Sequence, residues 1–395
     1  LRITEEFAYT ALSYTPLTAV ENGLHRFAGS VLDEQIDDYG ESALKRRRDW
    51  LAKFARGVAG TKIERLLPDD RADFEAIQAA IARTLRDLEE IETHRHSPAL
   101  YSNLAARAIV KRDTPADAPA DLRWFHLIRR LELIPKLCEV ARRNLVDAWD
   151  QPSIPTRPEW RPPEALRSRL DKAAAGAFAA LDAFAAHAAK LSWASRPSPP
   201  RPADAEAFAA AIEERIDKDA PSPAEASMAE VARFLERRVL GKVARPGEQP
   251  AEPLTILRAT APGFAVPEVP LARRLLRTVY SDPAAVAGWP EYWTQMAIEE
   301  EFRSGDEALR QAYLRRLQGI ARADPHAFAG WRDFLRLREA YRRTRGRAYL
   351  LTEFHERVRR EGALPLGAMC RLLAGMDVPP IDAISLAPSG PRSAG

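Results

Sequence analysis

A chain of 395 residues can bury a large core, as one large domain or as two to three smaller ones. Its 59 basic and 56 acidic residues nearly cancel to a net charge of +3, which argues against nucleic acid as a partner. No run of about 18 or more apolar residues is present, so no membrane-crossing helix is expected.

Hydrophobic content of 46% with 29% charged residues is ordinary for a globular protein. The run Lys45-Arg46-Arg47-Arg48 reads as a solvated helix face. Cys138 and Cys370 each sit in an apolar helical pattern, without metal-type spacing, and read as small buried hydrophobes; nothing requires a disulfide between them. No basic-then-apolar leader is visible in a chain that begins at Leu1, and the expected location is the cytoplasm.

Residues 1–28 read as one or two helices with Phe7, Leu12, Leu17 and Val20 on one face. Asp37-Asp38-Tyr39-Gly40 turns into a helix carrying Leu44, Trp50, Leu51 and Phe54. Pro68-Asp69-Asp70 opens the next, with two acids where the helix dipole favours them and an apolar stripe running to Ile91. Ser97-Pro98 starts a short helix, and 115–119 forms a loop. A long helix then spans about Ala120 to Trp149, with Pro135 expected to kink it by removing a backbone bond.

Proline-rich connections are expected at 150–163, 195–204 and 243–253. Between them lie an alanine-rich helix from Glu164 to Leu191 and helices over about 203–216 and 222–240, the latter capped by Ser222-Pro223. The stretch from Leu254 to Phe302 holds an apolar approach, a Pro262-Gly263 turn, and two helical segments opening at Pro283 and Pro290. Amphipathic helices follow at 306–320 and 325–345. A short helix at 351 has Thr352 as candidate N-cap, and a last one ends near Leu373. No alternating strand pattern and no internal repeat is found. The expectation is an all-α, multi-helix single domain over 1–375 with little or no sheet, in halves 1–149 and 164–375, and a loose tail at 376–395.

Several stretches resemble the bacterial family catalogued as domain of unknown function 885, helical proteins taken to be zinc metallopeptidase-like. They are Gly23-Leu24-His25 with Asp37-Asp38-Tyr39, Asp70-Arg71-Ala72-Asp73-Phe74, Ser97-Pro98-Ala99-Leu100-Tyr101, Arg130-Leu131-Glu132-Leu133-Ile134-Pro135, Glu353-Phe354-His355 and Gly362-Ala363-Leu364-Pro365-Leu366. Their order and spacing cover most of the chain. The resemblance implies an HEAxPGHH motif, whose histidines hold zinc while the glutamate activates water. Placing the motif's Pro-Gly on Pro262-Gly263 puts Arg258 and Ala259 at the first histidine and the glutamate, and Phe264 and Ala265 at the final histidine pair. The family's Glu-Gly-Trp becomes Ala287-Gly288-Trp289. On this alignment zinc has no ligands, and the chain is a shortened, degenerate member with its missing length between about Gly241 and Pro253.

What the stretch 254–302 offers instead is an aromatic face. Trp289, Trp293 and Met296 share one side of a helix, with Tyr292 and Glu299 adjoining. With Phe264 they could line an apolar pocket of the kind that takes small ligands, or simply fill the space zinc vacated. Arg258 could hold a carboxylate or phosphate, or pair with Glu268. His25 and His355, at family positions, are candidate general bases alongside Tyr292 and Glu299, or hydrogen-bonded core histidines. His94 and His96, two apart before Pro98, lack a third metal ligand. No phosphate loop, nucleophile elbow or cofactor motif appears. The leading expectation is a metal-independent enzyme acting on a small carboxylate-bearing, amino-acid-derived molecule, with Arg258 as its anchor. The alternative is a non-catalytic pseudoenzyme serving as a binding or scaffold protein. Oligomeric state is not legible in the sequence.

Overall fold

Apolar residues at three- and four-residue spacing produce helices over nearly the whole chain, and the fold is all-α. The computed structural model describes residues 2–110, 119–238, 251–266, 269–381 and 383–387. Most of the loop expected at 115–119, most of the linker at 243–253, and Glu268 lie outside them. Among the described residues no helix is long and apolar enough to cross a membrane. The contacts group the chain into two compact units: residues 1–61 with 80–197, and residues 62–79 with 198–395.

The first unit holds α1 (Arg2–Ser13), α2 (Pro16–Glu21), a two-residue-per-strand hairpin of β1 (Arg26–Phe27) and β2 (Ser30–Val31), and α3 (Glu41–Val58). It also holds the end of α4 (Pro68–Arg86), then α5 (Thr93–His96), α6 (Pro98–Ala108), α7 (Ala120–Asn144) and α8 (Glu164–Ala188). Its core lies along α7 and α8, where Leu127, Leu131 and Ile134 are buried with Leu170, Ala177 and Leu181. Helix α7 runs unbroken through Pro135 but stops at Asn144, five residues before the expected Trp149. The cause is competition for backbone: Val146 N–H donates to Arg95 O and Trp149 N–H to His96 O, so the chain leaves the helix to pair with the α5 turn. Between α4 and α5, residues Asp87–Ile91 form a turn of π-helix, and Glu92 follows in the left-handed region at φ 50°.

The second unit holds α9 (Ala205–Glu213), α10 (Met228–Arg238), α11 (Pro253–Ala259), α12 (Leu271–Val279) and α13 (Pro283–Glu299). It continues with α14 (Glu307–Ala323), α15 (Pro325–Arg345), α16 (Leu351–Glu361), α17 (Leu366–Ala374) and α18 (Ala383–Leu386). Three local expectations change here. Helix α10 begins at Met228, because Ser227 Oγ takes the Glu230 N–H while Ala226 is held in an isolated bridge to Ala251; Ser222-Pro223 caps nothing. Thr352 lies inside α16, whose N-cap is Leu350. Ile381 O and Leu386 O accept hydrogen bonds from Arg336 and Gln295, so the described part of the expected loose tail is tied down.

The largest change is α13, one helix through Pro290 where two segments were expected. A proline mid-helix frees the carbonyl four residues back, here Val286 O. Val286 is half exposed, so this turn of helix has access to water, while the opposite face is held against α15. That hold is a backbone contact. A Cβ added at Gly288 would collide with the Gly330 backbone, and one at Gly330 would collide with Ala284 O.

Residues 69–73 belong to this unit through a buried ion cluster. Asp73, fully buried, takes Arg273 Nε at 2.5 Å and Arg277 Nε at 2.9 Å. Arg277, 2% exposed, also reaches Glu361 at 2.6 Å and Asp69 at 2.9 Å. Buried charges persist only when paired and hydrogen-bonded.

Gly330→Ala forces α13 and α15 apart and is expected to cost about 3 kcal/mol or more. Urea unfolding measures it, and an unchanged midpoint would disprove the contact.

Candidate functional site

The inward face of α13 places the aromatic candidates side by side, and all are buried. Trp289 is 2% exposed, and Tyr292, Trp293 and Met296 are at 0%. Trp289 stacks near Tyr292 with ring centroids 5.3 Å apart and meets Phe334 of α15 edge-on at 5.1 Å. Its Nε1–H donates to Pro262 O at 2.8 Å, fixing the Pro262-Gly263 turn over the cluster. Phe264, half-buried, lies on Trp289 at 5.7 Å.

His355 comes into the same cluster from α16, where Leu350 ends an extended segment and the helix buries Phe354, His355 and Val358. Tyr292 Oη and His355 Nε2 are 2.8 Å apart. Burial first, then the cations Arg338 and Arg359, push the His355 pKa down to about 3, so the imidazole is neutral at ordinary pH. Burial pushes the Tyr292 phenol far up, so it keeps its proton and can donate to Nε2. Among the described residues, His355 Nδ1 and Trp293 Nε1 have no hydrogen-bond partner. The pair could relay a proton chemically, but both side chains are closed off from solvent.

Arg258 lies outside this pair. Its Nε is 2.9 Å from Glu291 Oε1, close enough for an ion pair though not aligned for a hydrogen bond. Glu291 is fully buried, and Arg316 completes the sandwich at 2.6 Å. Glu291 is the residue that sequence reasoning missed. The signal was present: a carboxylate two positions after Trp289, within a stretch otherwise buried, must find cations. Glu299 sits at the surface, accepting from Gln295 Nε2 at 2.7 Å and Arg338 at 2.7 Å. Gln295 in turn accepts the Trp331 Nε1–H at 2.8 Å. Thus Tyr292 and His355 are joined, Arg338 lies 5.7 Å over the Tyr292 ring, and Arg258 serves Glu291.

His25 belongs to the first unit and makes a different pair. Its Nδ1 is 3.1 Å from both oxygens of buried Asp33. His126, also buried, has Nδ1 3.9 Å from the same carboxylate, and burial lowers its pKa despite Asp33 and Glu34. Arg130 pins the Asp33 backbone through its carbonyl at 2.7 Å. An aspartate holding a histidine by Nδ1 is an orienting arrangement that general bases share with structural histidines. His94 Nδ1 has no partner among the described residues, and His96 Nδ1 is 2.5 Å from Asp147. Among the described residues no three His, Cys, Asp or Glu side chains gather as a metal site.

No family model matches the chain, and no curated protein matches it in sequence. Solved structures that share its fold include the following two. One is described as "a putative lipoprotein of unknown function" from Shewanella oneidensis, with TM-score 0.59 and 14% identity over 94% of this chain and 98% of that one. The other, described as a "putative lipoprotein" from Colwellia psychrerythraea, has TM-score 0.60 and 14% identity over 95% and 98%. At that identity the likeness carries the fold alone.

Because the folded His355 pKa lies below the free value of 6.5, the unfolded chain binds the extra proton between about pH 6.5 and 3. The stabilisation from neutral His355 is complete above pH 6.5 and drains as pH falls, by about 3 kcal/mol at pH 4. Buried Asp37, raised to about 6 mainly by desolvation, works in the opposite sense, so the readout is a difference. Wild type minus His355→Gln, by denaturant midpoints across pH 4–7, is expected to lose that amount; a flat difference refutes the burial.

Proposed function

We propose that the chain is a degenerate relative of the zinc metallopeptidase-like family it resembles, acting without catalysis as a binding or scaffold protein. The observation that carries this is the complete burial of Tyr292, Trp293 and His355 where a working cleft would need open space. A substrate must reach within about 3 Å of a general acid or base, and no side chain at 0% exposure offers that approach. The position aligned with the first zinc histidine, Arg258, is occupied in a salt bridge to Glu291, which supports a structural use of the residue over a ligand anchor.

The metal-independent enzyme acting on a small carboxylate is the second reading, and the 2.8 Å Tyr292–His355 contact favours it. It requires the aromatic cluster to open. The sequence-based expectation of a cytoplasmic location rests on no positive signal, and the two structures named above are each described as a "putative lipoprotein". We therefore propose an envelope location, which fractionation of cells expressing the natural gene decides.

Histidine acylation with diethyl pyrocarbonate, mapped by mass spectrometry on the native full chain, separates the two readings. The non-catalytic reading expects His25, whose side chain is 24% exposed, to react at least tenfold faster than His355. Comparable rates mean the cluster opens, and the enzyme reading replaces it. Elemental analysis finding one zinc per chain would return the protein to the peptidases.

A further inference from the structure

Seven consecutive residues, 342–348, are exposed where α15 hands over to α16, and Leu350 just beyond them is 61% exposed. The chain turns here at Gly346, φ 52°, into a single 3-10 turn over Gly346–Ala348 before Leu350 caps α16. An exposed run of this kind is convex. It can lie against a surface, but it cannot enclose a small molecule.

Four arginines stand on this tip, Arg342, Arg343, Arg345 and Arg347, and no acidic residue lies between 340 and 352. Glu339 is shared by Arg342 and Arg343 at 2.9 Å each, and their side chains remain 63% and 59% exposed. Arg345 pairs with Glu353. Arg347 has no hydrogen bond or ion pair among the described residues. Four guanidiniums therefore face two carboxylates. The C-terminal end of α15 adds only about half a negative charge, which does not close that gap. The whole chain carries a net charge of +3, so a surplus of two on one turn is a local concentration and not background. Ion pairs this exposed are weakly held, and their arginines are free to take a better acceptor.

The chemistry beside the charge decides what covers the tip. A guanidinium grips the paired oxygens of a phosphodiester with two parallel hydrogen bonds. Leu350 and Ala348 are exposed among the arginines, and a purely ionic partner would leave both wet. A bilayer surface offers both environments at once: phosphates for the cations and, a few ångströms deeper, the headgroup–acyl boundary for aliphatic side chains. Single-stranded nucleic acid would need rings to stack on, and the two nearby are turned inward, with Tyr341 buried and Tyr349 half-buried.

We infer that the turn between α15 and α16 is a docking surface for an anionic phospholipid bilayer, with Arg342, Arg343 and Arg347 on lipid phosphates and Leu350 at the acyl boundary. The assignment is independent of both readings of the Tyr292 cluster.

Sedimentation of the full chain with vesicles tests it, comparing equimolar phosphatidylglycerol and phosphatidylcholine with phosphatidylcholine alone. Binding is expected only to the mixed vesicles and is released by added salt. Each arginine at a bilayer surface contributes about a fivefold factor, so Arg343→Gln combined with Arg347→Gln is expected to weaken binding about twentyfold. Insertion has its own readout. Leu350→Cys carries an environment-sensitive fluorophore selectively, because Cys138 and Cys370 are buried, and its emission should shift to the blue on mixed vesicles at the midpoint that sedimentation gives. No binding to mixed vesicles, equal binding to phosphatidylcholine alone, or undiminished binding by the double variant would each overturn the assignment. So would an unshifted fluorophore, and a homopolymeric RNA held by the same arginines in that case would give the surface to nucleic acid instead.

Discussion

Two glycines touching across a helix crossing set the geometry of the second unit. With no side chain at Gly288 or Gly330, α13 and α15 approach to backbone contact, closer than ordinary helix packing allows. That closeness is what brings Trp289 and Tyr292 onto Phe334 and lays Arg338 over the Tyr292 ring. It also lets Trp331 reach Gln295, whose amide accepts from Tyr313 and donates to Glu299 beside the aromatics. Trp289, Tyr292 and Glu299 all take partners from α15 across this crossing.

The proposed loss of a metal site is compatible with this packing. Where the resembled family places a metal ligand, this chain has Arg258, and a buried glutamate lies 2.9 Å away. In this fold the cation at that spot neutralises Glu291 together with Arg316. The aromatic residues fill volume, and packed volume stabilises at about 25 cal/mol per Å² of apolar surface removed from water. On the proposed relationship, charge compensation and packing take the place of coordination without a helix being rebuilt.

The helices themselves were legible because periodicity is a property of ten or more residues at once. Helices α8, α14 and α15 end within a few residues of where the apolar stripes stop. Single-residue signals were less reliable. Ser222-Pro223 looked like a cap, yet Ser227 wins because the Ala226–Ala251 bridge holds the chain extended until then. Pro290 looked like a break, but the local cost of one lost hydrogen bond is smaller than the packing on the other face. Of the site residues, the burial of Tyr292 and Trp293 followed from their stripe, whereas the Tyr292–His355 contact joins positions 63 apart and left no trace in local pattern. Glu291 and the tiny hairpin at Arg26–Val31 were not seen for the same reason: each is made by partners distant in sequence or by too few residues to show a period.

The cluster around Asp73 carries a consequence for how the protein is made. Asp73 and Arg277 are separated by 204 positions, so a ribosome adding roughly 5–20 residues per second delivers the guanidinium about 10–40 s after the carboxylate. Throughout that interval the aspartate has no permanent counterion and stays hydrated, which keeps residues 62–79 out of any dry interior. The second unit therefore closes only near the end of translation, when α12 and α16 emerge.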